Sequence, residues 1–379
     1  MSKKYLAHKV ITQTKDCGVE LMRILGCLIV IACHCVVAYQ FNGEYHPDNT
    51  FIANLWADGV AIFWLVAGFF IFKSADAGKK LKNFSVKRLL PALGVGGLLF
   101  YLYDWATTDT TFLESFHHTK QEYIDLFTGE NGLLKLKSPF PQSGHFWYII
   151  IYVLVLLAFP ALKGFWDWMQ ENKNREQTFL IISFVFLAVN DWMANATFNF
   201  WNTSIQALVP SCIFIMWGAI LYKNKKRFEK GWLGVLGFIG FFAVNKLRTE
   251  VMVHTGEGHY MYWFTTFGLF AAICICVFCI NVGKLLQNNV AGKIVCYISS
   301  YTFMIYLVHY GVKDVLSYLG LKDKIYEISP PGTPGTVVGY TLLMTVSTFI
   351  ASFILVLLLH YSKILIQLIL KKLRSKTLK

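Results

Sequence analysis

The first apolar segment of the chain, VELMRILGCLIVIACHC (Val19–Cys35), contains three residues that could do chemistry: Glu20, Arg23 and His34. Arg23 and His34 are eleven positions apart, which is about three helical turns, so a helix places both on one stripe about 16 Å apart. Glu20 precedes Arg23 by one turn and can pair with it. Because an arginine within hydrocarbon costs about 2.5–3.5 kcal/mol, we expect this stripe to face protein or water.

Two further histidines lie in similar surroundings. His309, in SSYTFMIYLVHYGV, is predicted to reach about the same depth in the membrane as His34. His145 opens the segment HFWYIIIY beside Trp147, and this position is also typical of an aromatic residue belt at the membrane interface. A neutral imidazole at such a depth can take a proton from a hydroxyl group. A hydrogen-bonded structural histidine is the alternative for each.

The elements that must position these residues are membrane-spanning helices. The chain has 379 residues, of which 55% are hydrophobic and only 15% are charged, far fewer than the quarter or so that is typical of soluble domains. Apolar runs near the roughly 20-residue length of a transmembrane helix recur along the sequence. They predict an all-α integral membrane protein with about ten transmembrane helices, at 18–40, 51–73, 89–107, 145–162, 178–195, 205–222, 232–247, 261–281, 296–318 and 336–360.

The net charge of +13 follows the membrane topology and does not indicate a nucleic-acid partner. With the N-terminus inside and alternating spans, the basic clusters near residues 79–88, 223–230 and 371–379 all fall on the inner side. Both termini are therefore predicted to be cytoplasmic. We expect a cytoplasmic segment at 1–17, one membrane domain at 18–360 and a basic cytoplasmic tail at 361–379.

The nine cysteines all lie in or beside predicted spans, so no extracytoplasmic disulfide framework is expected. Cys274, Cys276 and Cys279 resemble a ligand cluster, but residues two apart diverge around a helix and no nearby histidine or acid completes a tetrahedral set. We expect no metal site.

The arginine and histidine of the first span, spaced Arg-x10-His, resemble the signature of the acyltransferase-3 family of integral-membrane O-acyltransferases. Four other segments occur in the order of that family's motifs: GVAIFWLVAGFFIF (59–72), FSVKRLLP (84–91), HFWYIIIYVLVLLAFP (145–160) and YTFMIYLVH (301–309). Two departures stand out. Ala67 replaces a frequent serine, and Ser85 replaces the first arginine of Arg-x-x-Arg, whose second arginine matches Arg88. Lys87 or Lys82 could supply the missing charge.

The resemblance implies transfer of an acyl group, usually acetyl from acetyl-CoA, to a hydroxyl group. Arg88 and Arg23 are then candidates for holding the donor phosphates, with Lys87 and Lys82 as further candidates. His34 is the candidate general base, and His309 or a backbone amide would stabilise the oxyanion. A covalent acyl-enzyme on tyrosine or serine is a second route. Acceptor-side or supporting positions are assigned to Glu20, His145, Trp147 and Tyr306.

The expected partners are acyl-CoA, the lipid bilayer and a hydroxyl acceptor, typically an extracytoplasmic glycan, and no tightly bound cofactor is expected. The resemblance places the protein in the bacterial cytoplasmic membrane as a multi-pass protein. The main alternative is a transporter or exporter, because intramembrane arginine and histidine also mark ion-coupled carriers. The sequence shows no inverted repeat of the kind that many carriers contain, and it does not identify the acceptor.

Overall fold

The described residues are folded almost entirely into helices, as expected where lipid offers no hydrogen bonds to the backbone. The computed structural model describes residues 15–35, 40–41, 44–45, 47–73, 76–107, 111–128, 147–195, 204–254, 265–330 and 334–377. Its helices are α1 (Cys17–Cys35), α2 (Pro47–Leu55), α3 (Gly59–Ile71), α4 (Ala77–Phe84), α5 (Leu90–Thr107), α6 (Phe112–Thr128), α7 (Trp147–Leu157), α8 (Phe159–Gln170), α9 (Lys173–Asn195), α10 (Ser204–Lys223), α11 (Lys225–Phe228), α12 (Gly231–His254), α13 (Thr266–Leu286), α14 (Val290–Ser299), α15 (Thr302–Tyr318), α16 (Leu321–Ile328) and α17 (Pro334–Thr377). Strands β1 (Gln40–Phe41) and β2 (Glu44–Tyr45) form one short antiparallel pair, with Gln40 opposite Tyr45.

Four stretches of the described chain are long and apolar enough to cross a bilayer: Cys17–Cys35, Thr50–Ile71, Thr266–Leu286 and Gly335–Leu365. Two bent pairs, α7 with α8 and α14 with α15, raise the number to six if each pair forms one span. The prediction of an all-α membrane protein is confirmed. The count of ten spans and the cytoplasmic placement of both termini stay predictions, since helices such as α9 and α12 mix apolar turns with charged residues.

Helix α1 lies at the centre of the bundle and packs against α3, α13, α14, α15 and α17. Around it, glycines allow close contacts between helices. A Cβ atom at Gly68 of α3 would lie 2.0 Å from the backbone oxygen of Ile215, and one at Gly218 of α10 would lie 2.1 Å from that of Leu65. Helices α3 and α10 therefore touch backbone to backbone. Helices α1 and α3 also approach closely at Gly59, where a Cβ atom would lie 2.7 Å from a backbone oxygen of α1.

Two pairs of helices are sharply bent at short breaks. Helices α7 and α8 meet at 65°, where Pro160 occupies the first turn of α8 and offers no N–H to continue the preceding helix. Helices α14 and α15 meet at 62° around Ser300 and Tyr301. This second break places the first turn of α15 inside the bundle, next to α1.

A buried ion pair joins the break between α2 and α3 to helix α12. Arg248 and Asp58 are both fully buried, and Arg248 Nη1 donates to the two carboxylate oxygens of Asp58 at 3.2 and 3.1 Å. Beside them, Asn54 Nδ2 donates to the Thr249 hydroxyl at 3.0 Å. The pair ties the end of α2 to α12, and neither residue was among our predicted functional residues.

We expect Arg248→Met to lower the unfolding midpoint of the detergent-solubilised protein, because it leaves the Asp58 carboxylate buried without a counter-charge. Breaking such a pair costs about 3–5 kcal/mol, whereas replacing both partners by neutral groups is often close to neutral. The matched control is the double variant Asp58→Asn/Arg248→Met, which should recover most of the loss. Samples of both variants are heated to a series of temperatures, and the protein that stays folded is quantified by size-exclusion chromatography. A single variant as stable as the double variant would contradict the role of this pair.

Candidate active site

A cavity of about 530 Å³ opens among α1, α3, α7 and the break between α14 and α15. Two arginines from different helices, Arg23 and Arg88, line it, and we call it the arginine cavity. Its remaining walls combine aromatic rings with hydroxyl groups. The other lining residues are Lys15, Phe63, Val66, Ala67, Phe70, Phe84, Tyr148, Tyr152, Ser299, Ser300, Thr302, Phe303 and Tyr306.

Arg23 is held by a buried carboxylate, as the spacing on α1 predicts. Its Nη1 atom donates to both carboxylate oxygens of Glu20 at 3.0 Å, and Glu20 is only 5% exposed. The Ser299 hydroxyl, at the end of α14, also donates to Glu20. The guanidinium carbon of Arg23 lies 5.3 Å from the centre of the Phe70 ring. Glu20 therefore links α1 to the α14–α15 break and orients Arg23 along the cavity wall.

Arg88 reaches the same cavity from a π-helical turn, Ser85–Leu89, that connects α4 to α5. The Leu90 N–H donates to the Ser85 carbonyl oxygen, which closes this wider turn. Such turns recur at functional sites because the extra residue changes which side chains face inward. The guanidinium carbon of Arg88 lies 4.1 Å above the Phe303 ring, which is within the range of a cation–π contact.

The structure brings His34 and His309 together. Their ring centres are 5.5 Å apart, and the Tyr310 ring lies edge-on to His34 at 5.1 Å. His309 is fully buried, whereas His34, in the last turn of α1, is half-buried. Lys313 Nζ lies 4.1 Å from the Tyr310 ring centre. Two imidazoles that are remote in sequence thus form one cluster, which we call the histidine pair.

The hydrogen bonding of His309 fixes its tautomer in the neutral state. Its Nδ1 atom lies 2.7 Å from the Tyr306 carbonyl oxygen, and because a carbonyl oxygen only accepts, Nδ1 must carry the hydrogen. In a neutral ring the lone pair then lies on Nε2. His309 is therefore arranged to accept a proton, and it can donate from Nε2 only after it has been protonated.

Three aromatic rings pack together in the wall of the arginine cavity, and one of them also contacts the histidine pair. Phe63, Tyr148 and Tyr306 all line the cavity, and each ring centre lies 6.1 Å from the other two. We call them the aromatic triangle. The Tyr306 ring is 5.9 Å from His309, whereas both histidines, which are among the described residues, are absent from the cavity lining. Of the predicted stripe on α1, Arg23 therefore faces the cavity, whereas His34 does not line it.

The remaining predicted residues lie apart from this centre or outside the described residues. Lys82 and Lys87 are exposed on α4 and on the π-helical turn, and neither is in the cavity lining. Trp147 begins α7 with its ring 6.3 Å from that of Tyr148. His145 lies outside the described residues.

Several residues of the site were missing from our sequence predictions. Lys15 donates to the Ser300 hydroxyl at 2.9 Å and lines the cavity, although it lies in the predicted N-terminal segment. Tyr148 and Tyr152 line the opposite wall. One signal for the serines was available: Ser299 and Ser300 interrupt an apolar run directly before the histidine-bearing segment.

Comparison with known proteins identifies the family of the chain. No curated protein and no solved structure matches the chain. A family model described as an acyltransferase domain, acyltransferase-3, matches residues 18–359, which is nearly the whole chain. The match favours a membrane acyltransferase over the transporter considered above. The chain belongs to the acyltransferase-3 family.

Proposed function

We propose that this protein transfers an acyl group, normally acetyl, from cytoplasmic acyl-CoA to a hydroxyl group of a glycan or related acceptor of the cell envelope. The observation that carries the proposal is the pairing of His34 with His309 next to a cavity lined by two arginines, in a chain of an acyltransferase family. The protein then acts in the bacterial cytoplasmic membrane, with ten spans and both termini on the inner side. Residues 18–360 form its catalytic domain.

The arginine cavity is the proposed donor site. Arg23, Arg88 and Lys15 bring three positive charges to its walls, and a guanidinium group binds phosphate with paired hydrogen bonds. The Phe70 ring lies against the guanidinium group of Arg23, and the Phe303 ring lies against that of Arg88. These contacts orient both cations and cover part of each from water. An acyl-CoA with its phosphates at these cations can extend its pantetheine arm towards Tyr306.

The histidine pair is the proposed catalytic centre. His34 removes the proton from the acceptor hydroxyl as that oxygen attacks the thioester carbonyl. A tetrahedral intermediate forms, and its collapse breaks the carbon–sulfur bond and releases the CoA thiolate, which takes up the proton held by His34 and so regenerates the base. His309, with its lone pair on Nε2, supports this step as a second proton acceptor. Its neutral tautomer makes it a poor oxyanion donor, so we assign that role to a backbone amide or to protonated His309.

Glu20 and Tyr306 are proposed as supporting residues on either side of this path. Glu20 orients Arg23 towards the donor, and the carbonyl group of Tyr306 holds the His309 ring. Trp147 supports the α7 wall through Tyr148. Neither a metal ion nor a tightly bound cofactor takes part in the scheme, in which acyl-CoA is a substrate.

We expect His34→Ala to lower kcat by about 100-fold or more, because general-base catalysis contributes about 10²–10⁴-fold. The measurement is incorporation of labelled acetyl into envelope glycans, with membrane levels of the protein matched by immunoblot. His309→Ala should lower kcat as well, while Cys33→Ala, a substitution next to His34 on α1, serves as the matched control. Activity retained by His34→Ala at normal protein levels would exclude His34 as the base.

Arg88→Ala should raise the KM for acyl-CoA by about 10-fold or more, since hydrogen bonds to charged groups contribute about 1.5–3 kcal/mol. Arg23→Ala should act in the same direction. Thiol release from acyl-CoA by purified protein reports the change, with Lys79→Ala on the neighbouring helix α4 as the control. Lys82→Ala and Lys87→Ala test whether the exposed lysines share the role. An unchanged KM in Arg88→Ala would place the donor phosphates elsewhere.

A further inference from the structure

Two cysteines from distant parts of the sequence lie side by side next to residues that line the arginine cavity. Cys17 is the first residue of α1, and Cys296 is on α14. Their sulfur atoms are 3.7 Å apart, and both residues are free thiols. A disulfide has an S–S distance of about 2.05 Å, so the two atoms need to close by about 1.7 Å.

The backbone around the two thiols is tied directly to the cavity. Lys15 Nζ donates to the Cys296 carbonyl oxygen at 3.3 Å and to the Ser300 hydroxyl at 2.9 Å. Gln287 joins the same network: it accepts from the Cys17 N–H at 3.0 Å and donates to the Lys15 carbonyl oxygen at 2.8 Å. Because Lys15 and Ser300 both line the cavity, any shift of α14 towards α1 moves part of its wall.

The two thiols differ in their exposure to solvent, and this difference determines which of them reacts first. Cys296 is half-buried, whereas Cys17 is buried and its thiol points towards the Gly292 carbonyl oxygen at 3.8 Å. A small oxidant can therefore reach Cys296 first, and Cys17 is placed to attack the product from inside the protein.

We propose that Cys17 and Cys296 are a redox-sensitive pair whose oxidation to a disulfide bridges α1 and α14 and weakens donor binding in the arginine cavity. The effect on the donor rests on the proposed function, whereas formation of the disulfide does not. With the termini on the inner side, both thiols belong to a compartment that keeps them reduced. The bridge then forms only when that compartment becomes oxidising.

The chemistry is thiol–disulfide exchange with a low-molecular-weight disulfide such as oxidised glutathione. The Cys296 thiolate attacks one sulfur of the small disulfide, whose S–S bond breaks, and one small thiolate leaves and takes up a proton. Cys17 then loses its proton and attacks Cys296 Sγ, which releases the second small thiol. Two protein thiols are oxidised, and one small disulfide is reduced to two thiols.

The test uses the full-length protein in lipid nanodiscs, incubated with oxidised glutathione, alkylated to block free thiols, digested and examined by mass spectrometry. We expect a peptide linking Cys17 to Cys296 that disappears after reduction with dithiothreitol. Cys17→Ser should stop the reaction at the mixed disulfide on Cys296. Cys212→Ser, which removes another half-buried thiol, is the matched control and should leave the link intact. If oxidation modifies other cysteines and the link between Cys17 and Cys296 does not form, the proposal of a redox-sensitive pair is wrong.

Donor binding is measured separately on the same samples with labelled acyl-CoA. We expect oxidation to weaken binding by about fivefold or more, a change typical of coupled sites, and Cys296→Ser, which can form neither the link nor a mixed disulfide at this position, to abolish this response. A link that forms without any change in affinity would overturn the coupling to the cavity. If reduced protein binds no acyl-CoA at all, the proposed function fails, while the linked peptide still decides whether the thiol pair reacts.

Discussion

The structure depends on keeping charge compensated inside an apolar bundle. Arg23 would be costly against lipid, and its place on α1 is tolerated because a buried carboxylate one turn earlier holds it. Glu20 in turn accepts a hydrogen bond from Ser299. The group that compensates the charge of Arg23 therefore also links α1 to the α14–α15 break. At the N-terminal end of α3, Asp58 and Arg248 compensate each other's charge in the same way and join α2 to α12. Helix α3, which forms one wall of the cavity, lies between these two neutralised pairs.

Helical periodicity was enough to predict the local parts of this arrangement. The one-turn spacing of Glu20 and Arg23 predicted their ion pair. The similar depths of His34 and His309 in two predicted spans of the same direction predicted that both lie at one level of the membrane. The contacts that depend on helix breaks could not be predicted in this way. The 62° bend at Ser300 sets Ser299 beside Glu20, and the π-helical turn sets the direction of Arg88. Both features depend on packing between helices, which does not appear in the periodicity of apolar residues along the sequence.

Predicting the number of membrane spans meets the same limit, because helix breaks are not visible in the sequence pattern. Mean apolarity over about 20 residues identifies helices, but it does not distinguish a straight span from two half-helices. Helices α7 and α8 occupy one predicted segment and its continuation, and they meet at 65°. The pairing of Asp58 with Arg248 was equally hidden, because their positions are 190 apart and only the packing of α2 against α12 joins them.

The aromatic triangle of Phe63, Tyr148 and Tyr306 has a consequence for the electrical insulation of the membrane. In the proposed reaction an acyl group crosses the bilayer, so polar groups are reachable from each side, and a continuous file of water between them would conduct protons. Each unit charge falling through 100 mV dissipates about 2.3 kcal/mol. In this scheme three rings packed at 6.1 Å place apolar surface on the route from the cavity arginines towards the histidine pair. In the proposed mechanism the rings that line the cavity therefore also limit the leakage of protons through the enzyme.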